Sequence, residues 1–254
     1  MRSSYPKFLC GALLALSLAA CRPVYEVVAT EGSRIPVDST WDAQPDAEAV
    51  ALLLPYKAHV DSIMNAVVGT AALSMDRFRP ESPLSNLIAD VLRQSADRVL
   101  GKPADVGIMN IGGIRNSLTE GDITTANVYE ILPFENALCV LTMKGSVLKQ
   151  LFANLAARHG EGVSGIRLEM TKDGRLLDGT VNGQPVQDDK DYTVATIDYL
   201  TEGNDGLTAL PLAHEKVCPQ GAVLRDLFMD YVKSQATAGK PVTARIEGRI
   251  VVKE

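Results

Sequence analysis

The sequence predicts a domain between α/β and α+β, a mixed β-sheet with packed helices. Three observations predict it. Helical and strand patterns alternate through the first half of the chain, hairpin-type turns take over in the middle, and 46 % of the residues are apolar, enough for a substantial core. One mixed domain suits the 254 residues better than two small ones.

The elements follow in order. Residues 46–68 carry a helical spacing of Val50, Leu53, Leu54, Ala58, Val60, Ile63, Met64 and Val67, with a break or kink expected at Pro55. Residues 67–74 are small and apolar and read as a strand. Ser82 is an N-cap for a helix opened by Pro83, in which Leu84, Leu87, Ile88, Val91 and Leu92 repeat at three and four residues until Gly101 and Pro103 stop it. Residues 105–109 are a buried strand. A short helix runs over 125–131 and ends at Pro133, residues 136–143 are β-rich, and a helix follows over 147–157. Asp173-Gly174 and Asn182-Gly183 are hairpin turns beside a strand at 165–170, so this section is a β-meander. A strand at 192–197, the loop Glu202-Gly203-Asn204-Asp205-Gly206, a helix over 220–234 and a strand over 243–252 complete the chain.

The amino terminus reads as an address. Arg2 and Lys7 precede an apolar segment, 8–18, too short to span a bilayer comfortably, and Leu18-Ala19-Ala20-Cys21 matches a bacterial lipoprotein signal. Residues 1–20 are thus expected to be a signal peptide, Cys21 the lipidated residue, 21–46 a tether and 47–254 the domain. Acyl chains, rather than a helix, would hold the protein on a membrane of the cell envelope. Arg22 follows the cysteine and no acidic cluster does, which leaves both the periplasmic and the outer face open. Trp41, the single tryptophan, either docks on the domain or lies in the tether.

The net charge of −6 excludes a general nucleic-acid binder, which would show a basic face. Cys139 and Cys218 stand far apart without a metal spacing; a disulfide between them is left open but not indicated, and buried free thiols are the preferred reading. His59, His159 and His214 lie in no Asp-x-His, Asn-His-Asp, His-x-His or HExxH setting, and neither a Gly-x-Ser-x-Gly elbow nor a phosphate-loop lysine is present. Binding is better represented than bond breaking.

The stretch with the most chemistry is Asn110-Ile111-Gly112-Gly113-Ile114-Arg115. Two glycines after a buried strand let the backbone approach a ligand, and the arginine that follows can meet a phosphate or carboxylate with two parallel hydrogen bonds. On these residues alone the stretch is equally a strand-to-loop turn with a surface arginine. With the rest of the chain it resembles the Asn-Gly-Gly-Gly-Ile-Arg signature of the C-terminal domain of 5′-nucleotidases, the UDP-sugar hydrolase and ecto-5′-nucleotidase family. Further blocks resemble the family in order. They are Glu81 to Asp90, Gly121-Asp122-Ile123-Thr124, Leu132-Pro133-Phe134-Glu135-Asn136, Lys144-Gly145, Gly162-Val163-Ser164-Gly165, Tyr192 to Thr196, Tyr199-Leu200 and Gly203-Asn204-Asp205-Gly206. The likeness runs from about residue 46 to 254, and Ile111 departs from it where the family has glycine.

The resemblance implies a 5′-nucleotidase C-terminal-domain-like fold that holds the nucleoside part of a substrate. Phe134 and Tyr199 would sandwich the base, Asp205 would accept ribose hydroxyls, and Asn110 and Asn136 would surround base and sugar. Arg115 would lie near phosphate and ribose with a second arginine, Arg79, or Arg77 on the other side of a one-residue spacing difference. No catalytic residue is expected in this chain, and no cofactor. Family enzymes carry a metallophosphoesterase domain with two divalent metal ions, and the tether leaves no room for it. The implied partners are therefore a nucleoside or nucleotide, a separate metallophosphoesterase docked on the arginine face, and a membrane through the lipid. The alternatives are a non-catalytic nucleoside-binding surface lipoprotein and a scaffold that has lost its ligand site.

Overall fold

The computed structural model describes residues 27–254, so the expected signal peptide and Cys21 lie outside the described residues. The chain divides into two units, Met1–Leu52 and Leu53–Glu254. In the first, a 3₁₀ turn spans Ser39–Ala43, and the Asp38 side chain caps it by accepting the Thr40 N–H. Trp41 is exposed and its indole N–H donates to the Pro36 carbonyl at 2.7 Å. Helix α1, Ala47–Met64, crosses the boundary between the units; it continues through Pro55 without the expected break, and none of its residues is buried. Proline removes one backbone bond, and on an exposed helix the freed carbonyl is open to water.

In the second unit, β1 (Val67–Ala71) is followed by α2 (Pro83–Ser95), which starts at the expected cap: Ser82 Oγ accepts the Ser85 N–H. Its apolar stripe is buried. A short α3 (Asp97–Leu100) ends at Gly101 in the left-handed region. Then come β2 (Val106–Met109), fully buried, β3 (Gly121–Thr124), α4 (Thr125–Ile131), β4 (Leu138–Lys144) and α5 (Gly145–Ala157). The second half adds β5 (Gly162–Ser164), β6 (Ile166–Thr171), β7 (Leu176–Val181), β8 (Gln184–Pro185), β9 (Asp191–Ile197), α6 (Asp198–Thr201), β10 (Glu215–Val217), α7 (Leu224–Thr237) and β11 (Ile250–Lys253).

The strands form three sheets. A five-stranded sheet has the order β10-β4-β9-β2-β5, a four-stranded sheet β11-β6-β7-β8, and β1 pairs with β3. The expected meander is β6-β7-β8, antiparallel throughout, with β11 added parallel to β6. These are the mixed sheets with packed helices that the pattern predicts. The strand expected over 243–252 shortens to β11, and β3, β5 and β10, each of three or four residues, are too short to show a period.

The five-stranded sheet positions the site. Two of its three inner strands, β2 and β9, run parallel, so their carboxyl ends lie at one edge. Strands β4 and β5 flank them antiparallel, with Leu138 opposite Ile197 and Gly162 opposite Met109, so their amino ends reach the same edge. Residues just after β2 and β9, and just before β4 and β5, therefore meet there.

The same sheet corrects the reading of the cysteines. β10 pairs with β4 with Val217 opposite Val140, and one residue further along Cys139 and Cys218 are joined in a disulfide across 79 residues of sequence. Sequence spacing carries no sign of a pairing made by strand register. Closing a loop of 79 residues restricts the unfolded chain, and replacing both cysteines by serine is expected to lower stability by about 4 kcal/mol in a urea titration.

Candidate functional site

At the shared edge lies a cavity of about 380 Å³, lined by Asn110, Gly112, Gly113, Arg115, Phe134, Asn136, Tyr199 and Asp205. That volume suits a small organic ligand. Six of the seven side chains expected to bind a ligand are on its wall; Arg79 is the exception.

The wall after β2 is a 3₁₀ turn, Ile111–Gly113, closed by the Gly113 N–H on the Asn110 carbonyl and the Ile114 N–H on that of Ile111. Gly113 is closely packed: a Cβ there would stand 2.6 Å from Met109 Cε and 2.8 Å from Asn110 Oδ1, and those side chains would have to shift. At Gly112 a Cβ would meet nothing nearer than 3.7 Å. Arg115 leaves the turn with its Nη1 donating to the Gly112 carbonyl at 3.1 Å and its guanidinium carbon 5.9 Å from the centre of the Phe134 ring. That is within reach of a cation–π attraction.

Phe134 and Asn136 come from the loop between α4 and β4. Arg225, on α7, holds this loop: its guanidinium lies over Tyr129 at 4.2 Å and donates to the Pro133 carbonyl at 3.3 Å, while the Leu224 N–H donates to the Asn136 carbonyl at 2.8 Å. Phe134 remains 47 % exposed and Tyr199, at the end of β9, 43 % exposed. Two large rings left half in water on one cavity wall offer stacking surface rather than core packing.

Asp205 sits in the left-handed region (φ 54°) between Gly203 and Gly206, which share it. Aspartate tolerates that conformation because its short side chain bonds locally. Asn110 Nδ2 donates to its Oδ2 at 2.6 Å and the Tyr199 hydroxyl to its Oδ1 at 3.3 Å. A carboxylate only accepts, so the Asn110 amide nitrogen must face it and the Asn110 oxygen points elsewhere. That oxygen is buried and has no partner in the protein. Beside Asp205 the Tyr199 phenol is pushed above its ordinary pKa, mainly by the carboxylate charge, with lost hydration and the hydrogen bond adding to it. The wall thus presents flat apolar faces, carboxylate lone pairs for donors, and a guanidinium for an anion.

Arg79 has other partners. Its Nε donates to the Gly160 carbonyl at 2.9 Å and its Nη2 to the carboxylate of Glu161, which is fully buried and must be met by a cation. Arg77 is the arginine beside the turn, with Nη2 donating to the Arg115 carbonyl at 3.3 Å. Glu161 and Arg225 escaped the sequence reading. Glu161 is a single acid between two glycines, and nothing local marks either residue. Among the described residues no group of three or more His, Cys, Asp or Glu could hold a metal ion.

A family profile described as the 5′-nucleotidase C-terminal domain matches residues 66–211, more than half of the chain. The chain belongs to this family. Among curated relatives, a cell wall protein of Listeria monocytogenes is 29 % identical over 243 residues, covering 85 % of this chain and 30 % of that protein. The endonuclease YhcR of Bacillus subtilis is 31 % identical over 220 residues, covering 83 % and 17 %. The crystal structure of a 5′-nucleotidase precursor from Thermus thermophilus superposes with a TM-score of 0.68 at 31 % identity, covering 83 % of this chain and 44 % of that one. The Haemophilus influenzae NAD nucleotidase shares the fold, with a TM-score of 0.62 at 22 % identity over 82 % of this chain and 42 % of that one. The chain thus spans less than a third of these curated relatives and less than half of these solved chains.

Two outcomes test the site's construction. Gly113→Ala is expected to cost about 1–3 kcal/mol in urea unfolding through the clash with Asn110, whereas Gly112→Ala stays within about 0.5 kcal/mol. In Asp205→Asn the Tyr199 phenol, followed by the ¹³Cζ shift of labelled tyrosine, titrates at lower pH than in the parent, because the charge that raises it is gone.

Proposed function

We propose that this chain is the nucleotide- or nucleoside-recognition half of a split 5′-nucleotidase-type phosphohydrolase, with catalysis by a separate metallophosphoesterase. The observation that carries the reading is the cavity wall. Phe134 and Tyr199 stack on the base, Asp205 accepts from ribose hydroxyls, Asn110 and Asn136 close the base and sugar side, and Arg115 lies toward the phosphate. Family membership supports a nucleotide as the ligand class. The divalent metal pair that family enzymes use is assigned to the partner, since the described residues offer no donor set for it. The face carrying Arg77 and Arg115 is the docking face in this reading.

A second reading, a nucleoside-binding surface lipoprotein without a catalytic partner, is supported by the same wall, which pairs no nucleophile with a base. Both readings place the protein outside the cytosol. Lipidation at Cys21 is part of the proposal, and the disulfide between Cys139 and exposed Cys218 supports an oxidising compartment. The similarity to a Listeria cell wall protein agrees with export.

Calorimetry with adenosine and uridine tests the ligand class. Phe134→Ala and Tyr199→Ala are each expected to weaken binding by about 1–3 kcal/mol, with little dependence on the base; unchanged affinity in both would remove the stacking role. Phosphate release from AMP or UDP-glucose with Mn²⁺ or Zn²⁺ tests the division of labour. No turnover is expected from the chain alone, and turnover without a partner refutes the split.

A further inference from the structure

Behind the cavity wall lies a carboxylate that the ligand reading does not use. Glu161, just before β5, has a fully buried side chain. Its Oε2 accepts the Ile111 N–H at 2.6 Å, the first amide of the Asn110 turn. Its Oε1 accepts Arg158 Nε at 2.8 Å and Arg79 Nη2. The flanking glycines press it into place, since a Cβ at Gly160 would stand 2.2 Å from the Pro80 carbonyl and one at Gly162 2.7 Å from that of Ser85. Arg158, at the end of α5, lies against the opposite wall, where a methyl on Gly206 would sit 3.7 Å from its Cδ. Gly206 follows Asp205.

A half-buried guanidinium is thus bound to one carboxylate, with the loop that carries a second against its stem. The first, Glu161, is buried and holds it. The second, Asp205, is the group expected to accept ligand hydroxyls. A guanidinium that paired with Asp205 would occupy the acceptor sites a ligand needs. We propose that Glu161 is a positioning residue of the ligand site, which pins the Asn110 turn through the Ile111 amide and holds Arg158 off Asp205. One buried acid thereby sets both walls of the cavity, and Arg79 serves as its second counter-ion. This inference rests on the reading of the cavity as a nucleoside site. Arg158 is also raised above the usual arginine range, first by its hydrogen bond to Glu161 and then, beyond the cost of lost hydration, by the charges of Glu161, Asp205 and Tyr199, which locates it in the field of both carboxylates.

The test uses Glu161→Gln, which keeps the side chain's length and an oxygen for the Ile111 amide but releases the arginines. With Arg158 free to pair with Asp205, adenosine affinity by calorimetry is expected to fall about tenfold or more, the weight of a charge-assisted hydrogen bond. The Tyr199 phenol, followed by ¹³Cζ shift and assigned with Tyr199→Phe, shifts to lower pH as Asp205 is neutralised. Adding Arg158→Met to Glu161→Gln restores both. A merely structural role for Glu161 would lower the melting temperature and leave the Tyr199 titration and the rescue absent. An unshifted Tyr199 in folded Glu161→Gln, or a double variant that binds as weakly as the single one, overturns the inference. Should Glu161→Gln not fold, Glu161→Asp, whose carboxylate falls one methylene short of Arg158, gives the same two readings. The phenol titration needs no ligand, so a parent chain that binds no nucleoside counts against the proposed function, and an unmoved phenol counts against Glu161.

Discussion

A second buried acid, Glu81, is the constraint on which the arrangement of the main unit depends. It is 3 % exposed, and its oxygens accept the Asn86 amide at 2.7 Å, the Glu247 N–H at 2.7 Å and the Arg249 N–H at 2.8 Å. A carboxylate taken out of water must recover its hydrogen bonds from protein, so the segment before β11 has to come to the start of α2. Arg249 completes the lock with two 2.8 Å bonds to Asp90 and one of 2.7 Å to the Val163 carbonyl on β5. β11 lies beside β6, which follows β5 after Gly165 (φ 76°). The lock therefore fixes the four-stranded sheet against the helix that covers the five-stranded one, and it holds β5, whose first residue follows Glu161.

This accounts for the block from Glu81 to Asp90 in a way its sequence does not suggest. Asn86 and Asp90 are polar residues of the helix, and Glu81 precedes its cap. All three are spent on the carboxyl-terminal segment, and none lines the cavity. The helix packs on β2 and so holds Asn110, at the cavity wall, in place.

What was legible in the sequence follows from what is local. The Ser82 cap, the buried stripe of α2, the hairpin turns and the glycine turn after β2 are each decided within a few residues. So is the presence of Phe134, Tyr199 and Asp205 near breaks in structure. Arg79 could not be read the same way, because its fate is set by a carboxylate 82 residues further on. Glu161 shows the same limit, since its partners at Arg79 and Ile111 lie in other elements. The disulfide depends on the register of β10 on β4, which no spacing rule contains. In α1 the local pattern was right about the helix and silent about burial: Leu53, Leu54 and Tyr56 are exposed.

The Cys139–Cys218 bond carries a consequence for the order of maturation. β10 is an edge strand of three residues, all exposed, and edge strands that short hold their partners weakly. Before oxidation, its ladder to β4 and the Lys216–Glu202 ion pair hold it. The covalent step completes the sheet only where thiols are oxidised, so the compartment, rather than the chain, decides when the fold is finished. A copy retained among reducing thiols would carry the same cavity with the far edge of its main sheet unlatched.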